Sequence, residues 1–284
     1  MNDRRYFIIS ILFCLVLSVQ AQDKKLVILH TNDTHSCIEP LSTNLADTML
    51  AGRGGFLRRA AMVEQERKAC PSLLLIDSGD FSQGSPYYNT FKGDVEVELM
   101  NRMKYDAATI GNHEFYFGLE NMARIFKMAK FPIVCSNYDF TGTPVQGLTK
   151  RYVVLKRDGI RIGLYGLSPK LEGLVTEDNC KGVTYLDPVA VAQEMADFLH
   201  IEKKCDVVIC ISHMGWDKVN TLTDQEIMRR TSGTDIFLGG HSHTYLKKLE
   251  WVKNADGVNV ANDQNGKSGI FIGKITLDVT RNRK

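Results

Sequence analysis

The sequence predicts an α/β fold with sheets covered on both faces, and three observations carry that reading. Short apolar strands alternate with stretches of helical spacing. Hairpin signals come late in the chain. Five strands run straight into polar loops holding Asp, His or Asn, the arrangement open α/β sheets use to gather a site at strand C-termini.

The elements follow in order. Arg4 and Arg5 precede an apolar run over residues 6–19, and Val19-Gln20-Ala21 then offers small residues at a cleavage position, so residues 1–21 read as a secretory signal peptide. The run is short of the roughly 20 residues a membrane span needs. Export to the periplasm or the exterior is the expectation, with residues 22–284 as one catalytic-sized domain. Residues 25–30 form a strand, 56–68 a helix, 73–76 a strand, 94–103 a helix and 107–110 a strand. Residues 121–130 form a helix and 133–135 a strand. Strands 152–155 and 160–165 flank Arg157-Asp158-Gly159, a hairpin turn signal. Residues 188–200 form a helix, 207–211 and 236–238 strands, and 270–279 a last β-run beyond turns at Asp256-Gly257 and Asn265-Gly266. No internal repeat, low-complexity linker or second apolar span interrupts this order.

The bulk numbers exclude several classes. A net charge of +2 from 35 basic and 33 acidic groups gives no broad field for nucleic acid or an anionic membrane, so phosphate affinity must come from a local site. The 44% hydrophobic content is ample for large cores. Six cysteines follow the leader (Cys37, Cys70, Cys135, Cys180, Cys205 and Cys210). They have no CxxC spacing, and none reads as a metal ligand. Cys205 and Cys210 read as buried small hydrophobes.

The chemistry lies in the five loops. They hold Asp33 and His35, Asp80, Asn112 and His113, His213, and His241 and His243. Five of the seven histidines sit there. A lone histidine is more often an ordinary hydrogen-bonding residue, but this concentration beside two aspartates and an asparagine points to metal. The donors are oxygen and nitrogen without thiolate, suiting Zn, Mn, Fe or Mg. Two divalent ions about 3.5–4 Å apart would supply a nucleophilic hydroxide and neutralise phosphoryl charge.

The words His30-Thr31-Asn32-Asp33-Thr34-His35, Gly79-Asp80, Gly111-Asn112-His113-Glu114-Phe115, Ser212-His213-Met214-Gly215 and Gly240-His241-Ser242-His243-Thr244 occur in one order. With them the chain resembles the calcineurin-like metallophosphoesterases, specifically the catalytic domain of the 5'-nucleotidases. The resemblance implies a four-layer α-β-β-α sandwich. It also implies one ion on Asp33, His35 and His243, a second on Asn112, His213 and His241, and Asp80 as the bridge. By the same resemblance His113 is not a ligand but contacts the phosphate and assists the leaving group. The implied substrate is a small phosphorylated molecule of the 5'-nucleotide type. Other readings are a broad or non-nucleotide phosphoesterase, a nucleotide-sugar or cyclic-nucleotide hydrolase, and a non-catalytic metal-binding protein.

Two departures bear on the substrate. Tyr116 stands where the family places an Asp that orients the catalytic histidine; either Glu114 or a residue from elsewhere replaces it, or His113 is less polarised. The family's C-terminal domain, which stacks the base, has no counterpart in the sequence, so a separately encoded substrate-binding partner is an alternative. Tyr87, Tyr88, Phe91 and Trp216 are candidate stacking rings, and Asp77, Asp106, Asp217 and Asp235 candidate orienters of the ligand imidazoles.

Overall fold

A computed structural model describes residues 24–217 and 222–280; the leader expected over residues 1–21 lies outside them. The first strands are β1 (Lys24–Thr31), β2 (Leu74–Asp77), β3 (Ala107–Ala108), β4 (Ile133–Val134), β5 (Tyr138–Asp139), β6 (Thr149–Lys150) and β7 (Tyr152–Arg157). They are followed by β8 (Ile160–Leu167), β9 (Thr184–Tyr185), β10 (Val207–Ser212), β11 (Ile236–Leu238), β12 (Glu250–Lys253), β13 (Asn259–Asp263) and β14 (Gly273–Val279). One six-stranded sheet has the order β14-β1-β2-β3-β4-β6, the other β12-β13-β11-β10-β8-β7, and β5 pairs with β9 alone. The inner strands are parallel, whereas β14, β7 and β12 join antiparallel at the edges.

Strand alternation accounts for the layering, because successive side chains leave opposite faces. From β1 and β2, Leu26, Ile28, Leu74 and Ile76 enter one core. They meet Ile162, Leu164, Val207, Ile209, Ile211, Ile236 and Leu238 from the second sheet. The intervening Leu29 and Leu75 pack against helices α1 (Phe56–Ala69), α3 (Asp94–Met103) and α4 (Gly118–Met128), which follow and precede the short α2 (Pro86–Phe91) in the order of the chain. On the far side, Tyr165, Leu167, Val208, Cys210 and Phe237 pack under α6 (Pro188–Asp197) and α7 (Asp224–Arg230), beyond the single turn α5 (Glu177–Cys180). Three cores between helix, sheet, sheet and helix make the predicted four layers. No helix among the described residues is long and apolar enough to cross a membrane.

Several boundaries differ from expectation. The third strand ends at Ala108, not 110; beyond it the Thr109 amide still donates to the Asp77 carbonyl at 3.0 Å and its hydroxyl to the Val134 carbonyl of β4 at 2.8 Å. Helix α4 starts at Gly118 and not residue 121, on a left-handed glycine (φ 76°). The last strand starts at Gly273. The Asp158-Gly159 hairpin forms as expected, with φ of 47° and 77°. Cys205 and Cys210 are buried, and no disulfide links the six described cysteines.

Candidate metal centre

The parallel strands of both sheets end at one place. Asp33 and His35 follow β1, Asp80 follows β2, Asn112 and His113 follow β3, His213 follows β10, and His241 and His243 follow β11. Donor atoms of Asp33, His35 and His243 lie within 4.8 Å of one another, as do those of Asp80, His213 and His241 and those of His35, Asp80 and His113. The Nε2 atoms of His35 and His243 are 2.9 Å apart. Two metal–nitrogen bonds of about 2.0–2.1 Å at a right angle give about the same spacing. Asp33 Oδ1 is 3.4 Å from His243, 3.8 Å from His35 and 3.8 Å from His213, so it faces both groups of imidazoles. Asp80 Oδ2 is 3.0 Å from His213 Nε2 and 3.8 Å from His113 Nε2.

Two buried atoms test whether metal ions fit here. Asn112 Oδ1 and His213 Nε2 have no hydrogen-bond partner, the second despite its proximity to Asp80, which lacks hydrogen-bond geometry. Leaving such atoms unpaired costs about 1–3 kcal/mol each, and a cation would satisfy both lone pairs. The donor set therefore fits divalent ions.

The backbone is forced to make this convergence. Asp33, His35, Asp80, His241 and His243 all have φ between 46° and 73°, a region that L-residues with side chains seldom occupy. Such strain persists where surrounding structure over-determines it and gathers at functional sites. Gly111 shows why a side chain is excluded nearby, since a Cβ there would lie 2.1 Å from Asp80 Oδ1. Likewise a Cβ on Gly240 would lie 2.8 Å from His213 Nδ1.

Supporting contacts fix the rings and carboxylates. His213 Nδ1 meets the Ser78 carbonyl at 2.6 Å, which turns Nε2 toward Asp80. Ser78 in turn donates from Oγ to the Leu238 carbonyl at 2.7 Å and contacts His30 Nε2 at 2.9 Å, tying the two sheets together beside the site. Asn32 Nδ2 donates to Asp33 Oδ2 at 2.6 Å, and the His241 amide donates to the same carboxylate. Gln264 receives the Ser242 hydroxyl and the Thr244 amide and donates to the Gly240 carbonyl, fixing the loop of His241 and His243.

Electrostatics follow burial and these neighbours. Burial, then His213, lowers His241 to about 4, and burial lowers His35, so both rings favour the neutral form that can ligate a cation. Burial opposes protonation of His213 as well, but the charges of Asp80 and Asp33 outweigh it and raise the ring to about 10. Burial acts to raise Asp80, yet His213, His113 and His35 hold its carboxyl well below the usual range. The field at the two carboxylates is thus strongly cation-seeking.

Glu114 does not take the place of the family's orienting Asp. Its buried carboxylate accepts the amides of Asp80 at 3.0 Å, Gly111 at 2.7 Å and Ser82 at 3.1 Å, which directs it away from the His113 ring. Burial, then the charge of Asp80, pushes it up to about 7. The His113 amide donates to Asp80 Oδ1 at 2.8 Å, while its ring packs edge-on to His35 with 4.9 Å between centroids. Among the described residues neither ring nitrogen of His113 has a hydrogen-bond partner.

The four candidate orienting aspartates serve elsewhere. Asp77 accepts from Thr31 and the Gly79 amide, Asp106 from the Leu75 amide and Arg157, Asp217 from Thr244, and Asp235 from the Val208 amide. Of the candidate stacking rings, Tyr88 is fully buried and belongs to the packing of its helix. Phe91 is half exposed. The sequence reading gives no role to Ser78, His30 and Gln264, whose partners lie far along the chain, nor to Asn32, which steadies the neighbouring Asp33.

Comparison with known proteins agrees with this geometry. Residues 26–245 match the family model described as calcineurin-like phosphoesterase. The human 5'-nucleotidase is 33% identical over 78% of this chain and 38% of its own length, and the snake venom 5'-nucleotidase of Crotalus adamanteus is 33% identical over 84% and 40%. The chain therefore spans about two fifths of the length of these relatives. Among solved structures, a 5'-nucleotidase precursor from Thermus thermophilus matches with a TM-score of 0.79 and 30% identity, covering 89% of this chain and 51% of the other. The NAD nucleotidase of Haemophilus influenzae gives 0.77 and 26%, covering 89% and 47%. On the sequence match, the fold and the donor-lined junction of its two sheets, the chain belongs to the calcineurin-like phosphoesterase family.

Proposed function

We propose that this chain hydrolyses phosphate monoesters of the 5'-nucleotide class at a centre of two divalent ions. The observation that carries the reading is the convergence of donor atoms of Asp33, His35, Asp80, His213, His241 and His243 from both sheets, with the buried Asn112 Oδ1 and His213 Nε2 left without hydrogen-bond partners. Asp33, His35 and His243 would hold one ion and Asn112, His213 and His241 the other, with Asp80 shared between the two sets. Zn, Mn, Fe or Mg suits this oxygen and nitrogen set. When bound, the ions activate water for attack and neutralise the phosphoryl oxygens.

The chain's own residues do the rest. Strain-held loops and the glycines beside them fix the donor positions before substrate arrives, so little reorganisation is needed. His113, a third exposed at the side chain and not committed to another partner, carries a proton on Nε2 to the ester oxygen that leaves. Glu114 holds the loops of Asp80 and Gly111 in register through their amides. The basic, apolar and small-residue pattern of residues 1–21 supports export before this activity is exercised.

Relatives named for nucleotide substrates support the substrate class, and a NAD nucleotidase among the structural matches favours a second reading that includes larger nucleotides. The test is phosphate release by the Mn- or Zn-loaded chain from 5'-nucleotides, a nucleotide sugar, a cyclic nucleotide and an aryl phosphate. Preference for 5'-monophosphates is expected. Release from simple esters alone would overturn self-sufficient nucleotide recognition and point to a separate substrate-binding partner. No release from any ester would overturn the reading entirely.

A further inference from the structure

We propose that Tyr116 is a specificity-determining residue, its ring forming the platform on which the base of the substrate stacks; this rests on the nucleotide reading above. The geometry starts at the 3-10 turn His113–Phe115, where the Tyr116 amide donates to the His113 carbonyl at 3.1 Å. Residues three apart eclipse in such a turn, so Tyr116 and His113 project from the same side of the chain. His113 attends the leaving oxygen, and in a nucleotide the nucleoside is attached to that oxygen. The organic part of the ester therefore emerges on the side that Tyr116 occupies.

The ring is available for stacking. Tyr116 is 48% exposed, although Tyr88, Glu114 and Phe115 beside it are buried. Its aromatic contacts are with buried Tyr88 at 6.2 Å and 59° and with Phe117 at 5.0 Å and 85°. Neither contact is a parallel stack, so both support the ring by tilted or edge packing and leave a face for a ligand. Tyr88 lies in the helix that follows the Asp80 loop, and Asn179 Nδ2 donates to the Tyr116 carbonyl at 2.8 Å. The ring is thus seated on the same two loops that carry Asp80, Asn112 and His113. Of two other aromatics near candidate ligands, Tyr245 is already stacked on Phe271 at 4.0 Å and 12°, and the half-buried Trp216 is tied by its amide to Ser242 Oγ at 2.9 Å, in the loop of His241 and His243.

This assigns a purpose to the residue that stands where the family has its orienting Asp. Base stacking on an aromatic side chain is sequence-tolerant, so the platform favours nucleotides as a class over non-aromatic esters. The metal-loaded protein and its Tyr116→Ala and Tyr116→Phe variants are compared on 5'-AMP and glycerol phosphate. Tyr116→Ala is expected to lower the ratio of kcat/KM for AMP to that for glycerol phosphate by about tenfold, mainly through KM, while Tyr116→Phe retains the ratio. Adenosine, which carries no phosphate, gives a readout apart from turnover: calorimetric binding is expected for wild type and Tyr116→Phe and lost in Tyr116→Ala. An unchanged ratio, or adenosine binding that survives in Tyr116→Ala, overturns the platform. Failure of the wild type to hydrolyse AMP while it hydrolyses glycerol phosphate overturns the nucleotide reading instead.

Discussion

Replacing Glu114 tests how the loops of the site are held. Its carboxylate is fully buried and accepts three backbone amides, with Oε2 serving Asp80 and Gly111 and Oε1 serving Ser82. Glu114→Gln keeps the volume and one oxygen. The oxygen can serve Asp80 and Gly111, but the new NH2 then faces the Ser82 amide, donor against donor. One buried amide is left unpaired, at a cost of about 1–3 kcal/mol. Glu114→Ala removes all three acceptors, and about 1–3 kcal/mol for each gives an upper range of about 3–9 kcal/mol. Relief of a carboxyl already pushed up to about 7 by burial lowers that figure. The expected order of stability is wild type, then Gln, then Ala. Urea unfolding of the metal-loaded proteins reads it as falling midpoints at constant slope, and elemental analysis reads whether metal is lost in parallel. An Ala variant within about 0.5 kcal/mol of wild type, with metal retained, would refute the claim that this carboxylate organises the loops.

Other outcomes follow from the same geometry. Asp80→Ala removes the carboxylate facing both imidazole groups and should abolish paired-metal binding and nearly all phosphate release; wild-type turnover would contradict the bridging role proposed for it. His113→Ala should keep its metals but slow the chemical step by about 10²–10⁴-fold in single-turnover kinetics, whereas metal loss would make His113 a ligand. Thr223→Ala removes the capping box it forms with Glu226 at the start of α7 and should cost about 1 kcal/mol in unfolding free energy, with turnover unchanged.

The layering was legible because β1, β2, β10 and β11 are apolar on both faces, which only buried parallel strands sustain. Four of the five candidate-site words were legible because each follows the end of such a strand, while the word of Asn112 and His113 follows the two-residue β3, so local sequence and site location coincide. Helix α2 escaped notice as six residues with one buried ring, although Ser85 caps it and Pro86 opens it. Helix α7 was missed even though Thr223 and Glu226 spell its capping box. The support of the site was harder to read for a different reason. His30 resembles any core histidine until it meets Ser78, 48 positions away. Gln264 fixes the His241 loop from another strand's end, and nothing in its own neighbourhood marks it. Glu114 lies inside a recognised word, but the pull of three amides away from His113 is a tertiary fact.

The most direct test is the number of divalent ions bound per chain, measured by titrating Mn or Zn into the chelator-treated protein in a calorimeter. Two ions per chain, reduced by Asp80→Ala, is the predicted result. A wild-type chain that binds one ion or none would contradict a two-ion centre built from these seven residues.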